Sequence, residues 1–176
     1  MQTGSDAVPR ATPDPSQFRF TRQITIATDP DTIYDLISDV ANISRWSPTA
    51  DSVHYDEGHG PTAGAWFSGM NYRNGKSWPS RSQVERADRP EMFSFVVGGL
   101  PSGIVRWRWT FSPERNGTTV ASLTWSLLRL DPVLGASTAE ILELQDFMSA
   151  SVHTTLNALA RYLEPRLHPI RVEVAR

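Results

Sequence analysis

Hydrophobic and polar positions alternate over residues 18–26, with Phe18, Phe20, Ile24 and Ile26 on one side and Arg19, Thr21, Gln23 and Thr25 on the other. A period of two sends the sets to opposite faces, so the segment predicts a half-buried strand. The period then changes. Ile33, Leu36, Ile37 and Val40 recur at helical spacing behind Asp29, which can cap a helix, and Pro30, which suits its first position. A further turn over 42–48 would hold Ile43 and Trp46 before Pro48 stops it.

Short runs with strand character follow at 53–56, 64–72, 78–87, 93–97, 105–111 and 118–127. Glu57-Gly58, Asn74-Gly75, Arg89-Pro90, Gly98-Gly99, Pro113 and Asn116-Gly117 punctuate them as turns. Short loops between neighbours predict an antiparallel meander. The last element reads as a helix: Ser137 and Glu140 form an S-x-x-E capping box, and Ile141, Leu144, Met148, Val152, Thr155, Leu159 and Tyr162 trace one face before Pro165. About 27 residues at ~1.5 Å each give roughly 40 Å, enough to cross the whole sheet.

Composition narrows the function classes. A chain of 176 residues can bury one ordinary core, and the absence of cysteine removes thiolate nucleophiles, disulfides and cysteine-based zinc sites. That usage fits a cytoplasmic protein. A formal net charge of −2 carries no overall footprint for nucleic acid. Residues 1–17, with Pro9, Pro13 and Pro15 among small and polar neighbours, read as a disordered leader, and 165–176 as a tail. No window is apolar enough for a membrane span. No paired-histidine spacing, Walker loop or G-x-G-x-x-G appears, and His54 and His153 stand alone, so neither metal, nucleotide nor other cofactor is expected.

The chemistry must therefore come from aromatic rings. Of six tryptophans, Trp66, Trp78, Trp107, Trp109 and Trp125 fall in the predicted strands. A face so rich in indoles either packs a core or walls a cavity for a flat or greasy ligand. Trp107 and Trp109 share a face with Phe111, and Phe93, Phe95 and Val97 share another. Arg106 and Arg108 alternate with the tryptophans and face away, as a basic stripe with solvent or salt-bridge partners. Asp35 and Asp39 share one side of the first helix, where solvation is the simpler expectation and Asp39 is placed to cap the end.

The order and local patterns resemble the START-like, helix-grip (SRPBCC) superfamily, in particular its polyketide cyclase/dehydrase and lipid-transport branch. Ile24-Thr25-Ile26-Ala27 before Pro30 is similar to its first strand and turn, the run from Ile33 through Tyr34, Leu36 and Ile37 to Asp39 to its first helix, and Arg45-Trp46-Ser47-Pro48 to the segment after it. Gly64-Ala65-Trp66-Phe67-Ser68-Gly69-Met70-Asn71, Trp78, Arg106-Trp107-Arg108-Trp109, Phe111-Ser112-Pro113 and Gly117-Thr118-Thr119-Val120 complete the likeness, over about residues 18–164. It implies an α+β fold: about seven antiparallel strands in a curved sheet wrapped around a long C-terminal helix, with two short helices after the first strand.

The resemblance also places Phe67, Gly69 and Asn71 inward, and Trp66, Met70 and Tyr72 on the outer face or under a loop. A bulge near Gly69 or Pro79 would reverse that choice. The implied ligand-binding residues are Tyr34, Trp46, Phe67, Asn71, Trp78, Ser80, Ser82, Phe95, Trp107, Trp109, Met148 and Val152. The expected partner is a hydrophobic, polyketide-like or lipid-like small molecule held by a monomer or homodimer, with no nucleic acid. Two alternatives stand beside binding. One is a cofactor-free polyketide aromatase/cyclase or dehydrase drawing on Tyr34, Asn71, Ser80 and Ser82; the other is an interaction module with a collapsed interior and an apolar patch near Trp66 and Tyr72.

Overall fold

The computed structural model describes residues 12–164. Strand β1 (Arg19–Ile26) leads into helix α1 (Pro30–Ser38) and a 3-10 helix (Val40–Arg45). Strands β2 (Ala50–Glu57), β3 (Trp66–Arg73), β4 (Lys76–Asp88), β5 (Met92–Val97), β6 (Val105–Pro113) and β7 (Thr119–Leu127) follow, and helix α2 (Thr138–Leu163) closes the chain. The strands form one sheet in the order β1-β7-β6-β5-β4-β3-β2, antiparallel throughout. This is the curved seven-stranded sheet with a long C-terminal helix that the hydrophobic pattern and the resemblance implied.

Both helices start where the sequence supplies a cap. The Asp29 carboxylate accepts from the Thr32 hydroxyl (2.7 Å) and backbone N–H (2.8 Å), which hold its pKa below the ordinary value. At α2, the Ser137 hydroxyl accepts from the Glu140 N–H while the Glu140 carboxylate accepts from the backbone N–H groups of Ala136 and Ser137. Asp39 ends α1, and its carboxylate accepts from the Asn42 side-chain amide (3.0 Å). Asp35, expected to be solvated, is more than half exposed and also pairs with Arg89 of the β4–β5 turn at 2.7 and 2.9 Å; Arg89 also reaches Asp31. That clamp ties α1 to the sheet.

Helix α2 packs chiefly along β1. Arg22 breaks the apolar side of β1 by donating to the Ser149 hydroxyl on α2 (2.7 Å), with its guanidinium 5.5 Å from the centre of the Phe20 ring. Phe20 stacks on fully buried Trp125 (5.6 Å, 18°). Three register shifts interrupt the opposite half of the sheet, one of them between Tyr55 and Glu57 of β2. Another lies in β2 between Asp51 and His54, where Ser52 has a positive φ of 53°; the third inserts Glu85 between the pairs Val84↔Phe95 and Arg86↔Ser94. The β3–β4 register runs unbroken from Trp66↔Gln83 to Arg73↔Lys76, so the inward parity at Gly69 and Pro79 is not reversed.

The outer face has its own layer. Glu85 accepts from Arg106 at 2.7–3.0 Å and from the Ser94 hydroxyl at 3.0 Å, so this arginine of the expected stripe is paired. The Arg108 Nε is buried without a partner among the described residues. Trp66 faces outward beneath the Arg81 guanidinium (4.6 Å) and against Gly99, where a Cβ would fall 2.1 Å from the indole. Only glycine permits both that approach and the φ of +74°. The apolar outer row is thus largely covered by its own loop, with Tyr72 left exposed. At the start of the described chain, Pro15–Gln17 form a 3-10 turn capped by Asp14, inside the expected leader. Residues 1–11 of that leader and the tail 165–176 lie outside the described residues.

Candidate functional site

Between the sheet and α2 the protein holds an inner chamber of about 130 Å³ that opens into an outer one of about 450 Å³. Thr49, Asn71, Ser80, Val97 and Trp107 border both. Side-chain size explains the hollow. The inward positions of β3 and β4 include Gly69, Asn71, Ser80 and Ser82, and the facing stretch of α2 offers Ser151, Val152 and Thr155. Small groups on both sides cannot meet across the spacing that larger side chains hold open elsewhere.

Most of the anticipated residues converge. Trp46, Phe67, Asn71, Ser80, Ser82, Phe95, Trp107, Trp109 and Val152 line the inner chamber. Trp78 and Met148 border the outer one. Tyr34 borders neither: it is 2% exposed, with its ring edge-on to Phe93 and Phe111 at 6.3 and 6.2 Å. The resemblance placed Tyr34 at the ligand, whereas the structure packs it in the core against Phe93 and Phe111. Met70, expected outside with Trp66, borders the inner chamber where β2 loses register.

Sequence reasoning missed Ile37, Ile43, Ser47, Thr49, Val53, Phe93, Leu123 and Ser151 in the inner wall. Phe93 and Ile37 carried the right periodicity and could have been found. Ser47 and Thr49 sit around Pro48 in a segment with no regular period, so no pattern marked them.

The rings brace one another. Phe67 meets Phe95 edge-on at 5.0 Å and Tyr55 at 5.9 Å, while Phe95 lies 6.1 Å from Phe93. Trp46 is held from behind by Tyr162 (5.9 Å), which accepts a hydrogen bond from Arg45 (3.0 Å). Such pairs contribute about 0.5–1.5 kcal/mol each beyond area burial and hold the wall in place. The Tyr55 hydroxyl donates to the Ser38 carbonyl (2.8 Å), and burial pushes its pKa above the usual phenol range.

Polar groups gather on β3 and β4. The Asn71 amide donates to the Ser80 hydroxyl (2.6 Å), leaving the Ser80 proton and the Asn71 carbonyl for a guest. Ser82 is 3% exposed, and its hydroxyl has no partner among the described residues. Ser47 and Thr49 share a hydroxyl contact of 3.3 Å at the opposite wall. No side chain lining the inner chamber titrates. Charge lines the outer chamber, at Arg81, Arg129 and Asp131. No group of three or more His, Asp or Glu among the described residues is arranged to hold a metal ion, and no described helix is long and apolar enough to cross a membrane.

Solved structures share this architecture. The Polyketide_cyc-like protein Cgl2372 of Corynebacterium glutamicum is 28% identical, with a TM-score of 0.58 over 88% of this chain and 96% of its own. The Zhui aromatase/cyclase of a Streptomyces species matches at 17% identity and a TM-score of 0.65, over 86% and 96%. The di-domain aromatase/cyclase StfQ of the steffimycin biosynthetic pathway matches at 18% and 0.66, over 85% of this chain and 51% of its own. The two aromatase/cyclases are likenesses of fold. No curated protein matches the sequence. The family model described as polyketide cyclase / dehydrase and lipid transport matches residues 17–164, nearly the whole described chain, and the protein belongs to that family.

Proposed function

We propose that the protein binds a small molecule whose flat, uncharged ring system carries a carbonyl or hydroxyl group, with the ring in the inner chamber and the remainder in the space that adjoins it. The observation that carries this reading is the inner wall itself: indole and phenyl rings interrupted by hydroxyl and amide groups, with no ionisable side chain. A charged group entering such a wall would lose its water without gaining a counter-ion. A neutral oxygen would gain hydrogen bonds from Ser80 and Ser82.

The driving force is apolar burial. A ring that buries about 150–250 Å² at about 25 cal/mol per Å² gains about 4–6 kcal/mol before the cost of association. An apolar cavity of about 150 Å³ is known to take up benzene, so the inner chamber suits one ring and the outer chamber what is attached to it.

Titration with 2-naphthol, followed by quenching of the wall tryptophans, tests the reading, alongside native mass spectrometry of gently purified protein. Saturable binding supports it. Absence of quenching up to the solubility limit, together with no retained mass, sinks it.

The likeness to aromatase/cyclases favours a second reading, turnover of a poly-β-ketone. Enolisation needs an acid or base of suitable pKa within hydrogen-bond reach of the substrate. Asn71, Ser80 and Ser82 can polarise a carbonyl, yet none holds or releases a proton near neutrality. Cyclised product that disappears in Asn71→Ala would favour catalysis over binding alone.

A further inference from the structure

Resting on the proposed small-molecule reading, we infer that the cleft between the β3–β4 hairpin and α2 is an anion subsite, in which Arg73 holds a carboxylate at the far end of a ligand whose ring sits in the inner chamber. The cleft has a volume of about 440 Å³ and shares Thr49 and Ser151 with the inner chamber, so one molecule can occupy both. Its lining includes Arg73, Tyr72, Phe147 and Thr154 but no acid.

The charge there is unbalanced. Arg81 and Arg129, at the outer chamber, are answered by Asp56 and Glu57 and by Asp131. Arg73 has no carboxylate partner among the described residues, and its Nε is buried with no acceptor. Its guanidinium lies 5.2 Å from the centre of the Phe147 ring, a stacking that fixes the plane while leaving the edge N–H groups unspent. Lys76 stands directly opposite Arg73 across the Asn74-Gly75 turn. Like charges at a cross-strand pair repel, and an anion between hairpin and helix would relieve both that repulsion and the orphaned donor.

The ligand class is therefore an amphipathic acid: a neutral ring system, a linker passing Thr49 and Ser151, and a terminal carboxylate. Naphthyl-terminated acetate, butyrate and hexanoate, each with its uncharged primary amide, form a probe set that differs only in charge and reach. At neutral pH and low salt, at least one acid should bind about tenfold or more tighter than its amide, the scale of a charge-assisted contact. Arg73→Met should erase that preference while leaving amide binding unchanged, which also reports an intact fold. Arg115→Met, on the exposed β6–β7 turn away from all three cavities, should leave the preference in place.

A carboxylate preference that survives Arg73→Met, that vanishes equally in Arg115→Met, or that no chain length displays while the amides bind, overturns the anion subsite alone. Failure of acids and amides alike overturns the small-molecule reading and this inference with it.

Discussion

The sheet is filled by large side chains where β1 and β7 lie under α2 and left hollow along β3 and β4, with Leu123 and Trp125 at the boundary, although both halves are built from strands of the same alternation. On β7 the inward residues Ala121, Leu123, Trp125 and Leu127 are all buried, and Phe20 of β1 stacks on Trp125 beneath the helix. On β3 and β4 the corresponding positions are Gly69, Asn71, Ser80 and Ser82, and bulges interrupt the flanking β2–β3 and β4–β5 pairings. A cavity here needs no special element. It follows from removing side-chain volume on one half of a face while the other half fixes the helix at full height.

The largest effect that would break this contrast comes from the solid half. Trp125→Ala removes a fully buried indole and its stacking on Phe20 and should cost roughly 3–5 kcal/mol in urea denaturation. A loss under about 1 kcal/mol would mean that this half relaxes as readily as the other, and the division would fail.

Next in size is the converse change. Ser82→Leu places a branched side chain into the inner chamber and should weaken 2-naphthol binding about a hundredfold or more while altering stability by less than about 1 kcal/mol. In a close-packed core the same substitution would overpack and cost about 1–3 kcal/mol. The stability readout thus detects the void independently of any ligand.

How much of this was legible beforehand follows the same division. Every strand and both α-helices were readable, because caps, turn dipeptides and period all pointed one way: Asp29-Pro30, Asn74-Gly75 and the Ser137/Glu140 box sit at the element ends they predict. The resemblance supplied the inward parity of Phe67 and Asn71, that of Ser80 and Ser82 held only if the strand register did, and the β3–β4 register is unbroken. The separation of core from cavity was not readable. Tyr34 and Phe67 were both expected at the ligand, yet one packs against Phe93 and Phe111 and the other faces a void. That distinction depends on where bulges bend the sheet, and a bulge such as Glu85 leaves no mark in the alternation of its own strand alone.

Asn71→Ala should have a smaller effect, about three- to tenfold weaker binding of 2-naphthol, the range of one neutral hydrogen bond of about 0.5–1.5 kcal/mol. Naphthalene, which has no oxygen to recognise, should bind the variant and the parent equally. Equal weakening of both would mean that Asn71 shapes the wall and does not read the guest.

The smallest expected effect lies at the clamp over the hollow half. Ile37 of α1 borders the inner chamber, so Arg89 and Asp35, which tie α1 to the β4–β5 turn, hold part of its wall. Hydrogen bonding from Arg89 lowers the Asp35 pKa below the ordinary carboxylate value. A depressed folded-state pKa contributes stability above the unfolded-state value and loses it as pH falls through the folded one. Both side chains are more than half exposed, so solvent screens the pair and Asp35→Asn should cost only about 0.2–1 kcal/mol at neutral pH. The difference between parent and variant should shrink below about pH 4 as the parent carboxyl takes up its proton. A gap that stays constant down to pH 2 would assign the loss to packing of α1, and a gap well above 1 kcal/mol would make the clamp a structural support of the chamber comparable to its aromatic wall.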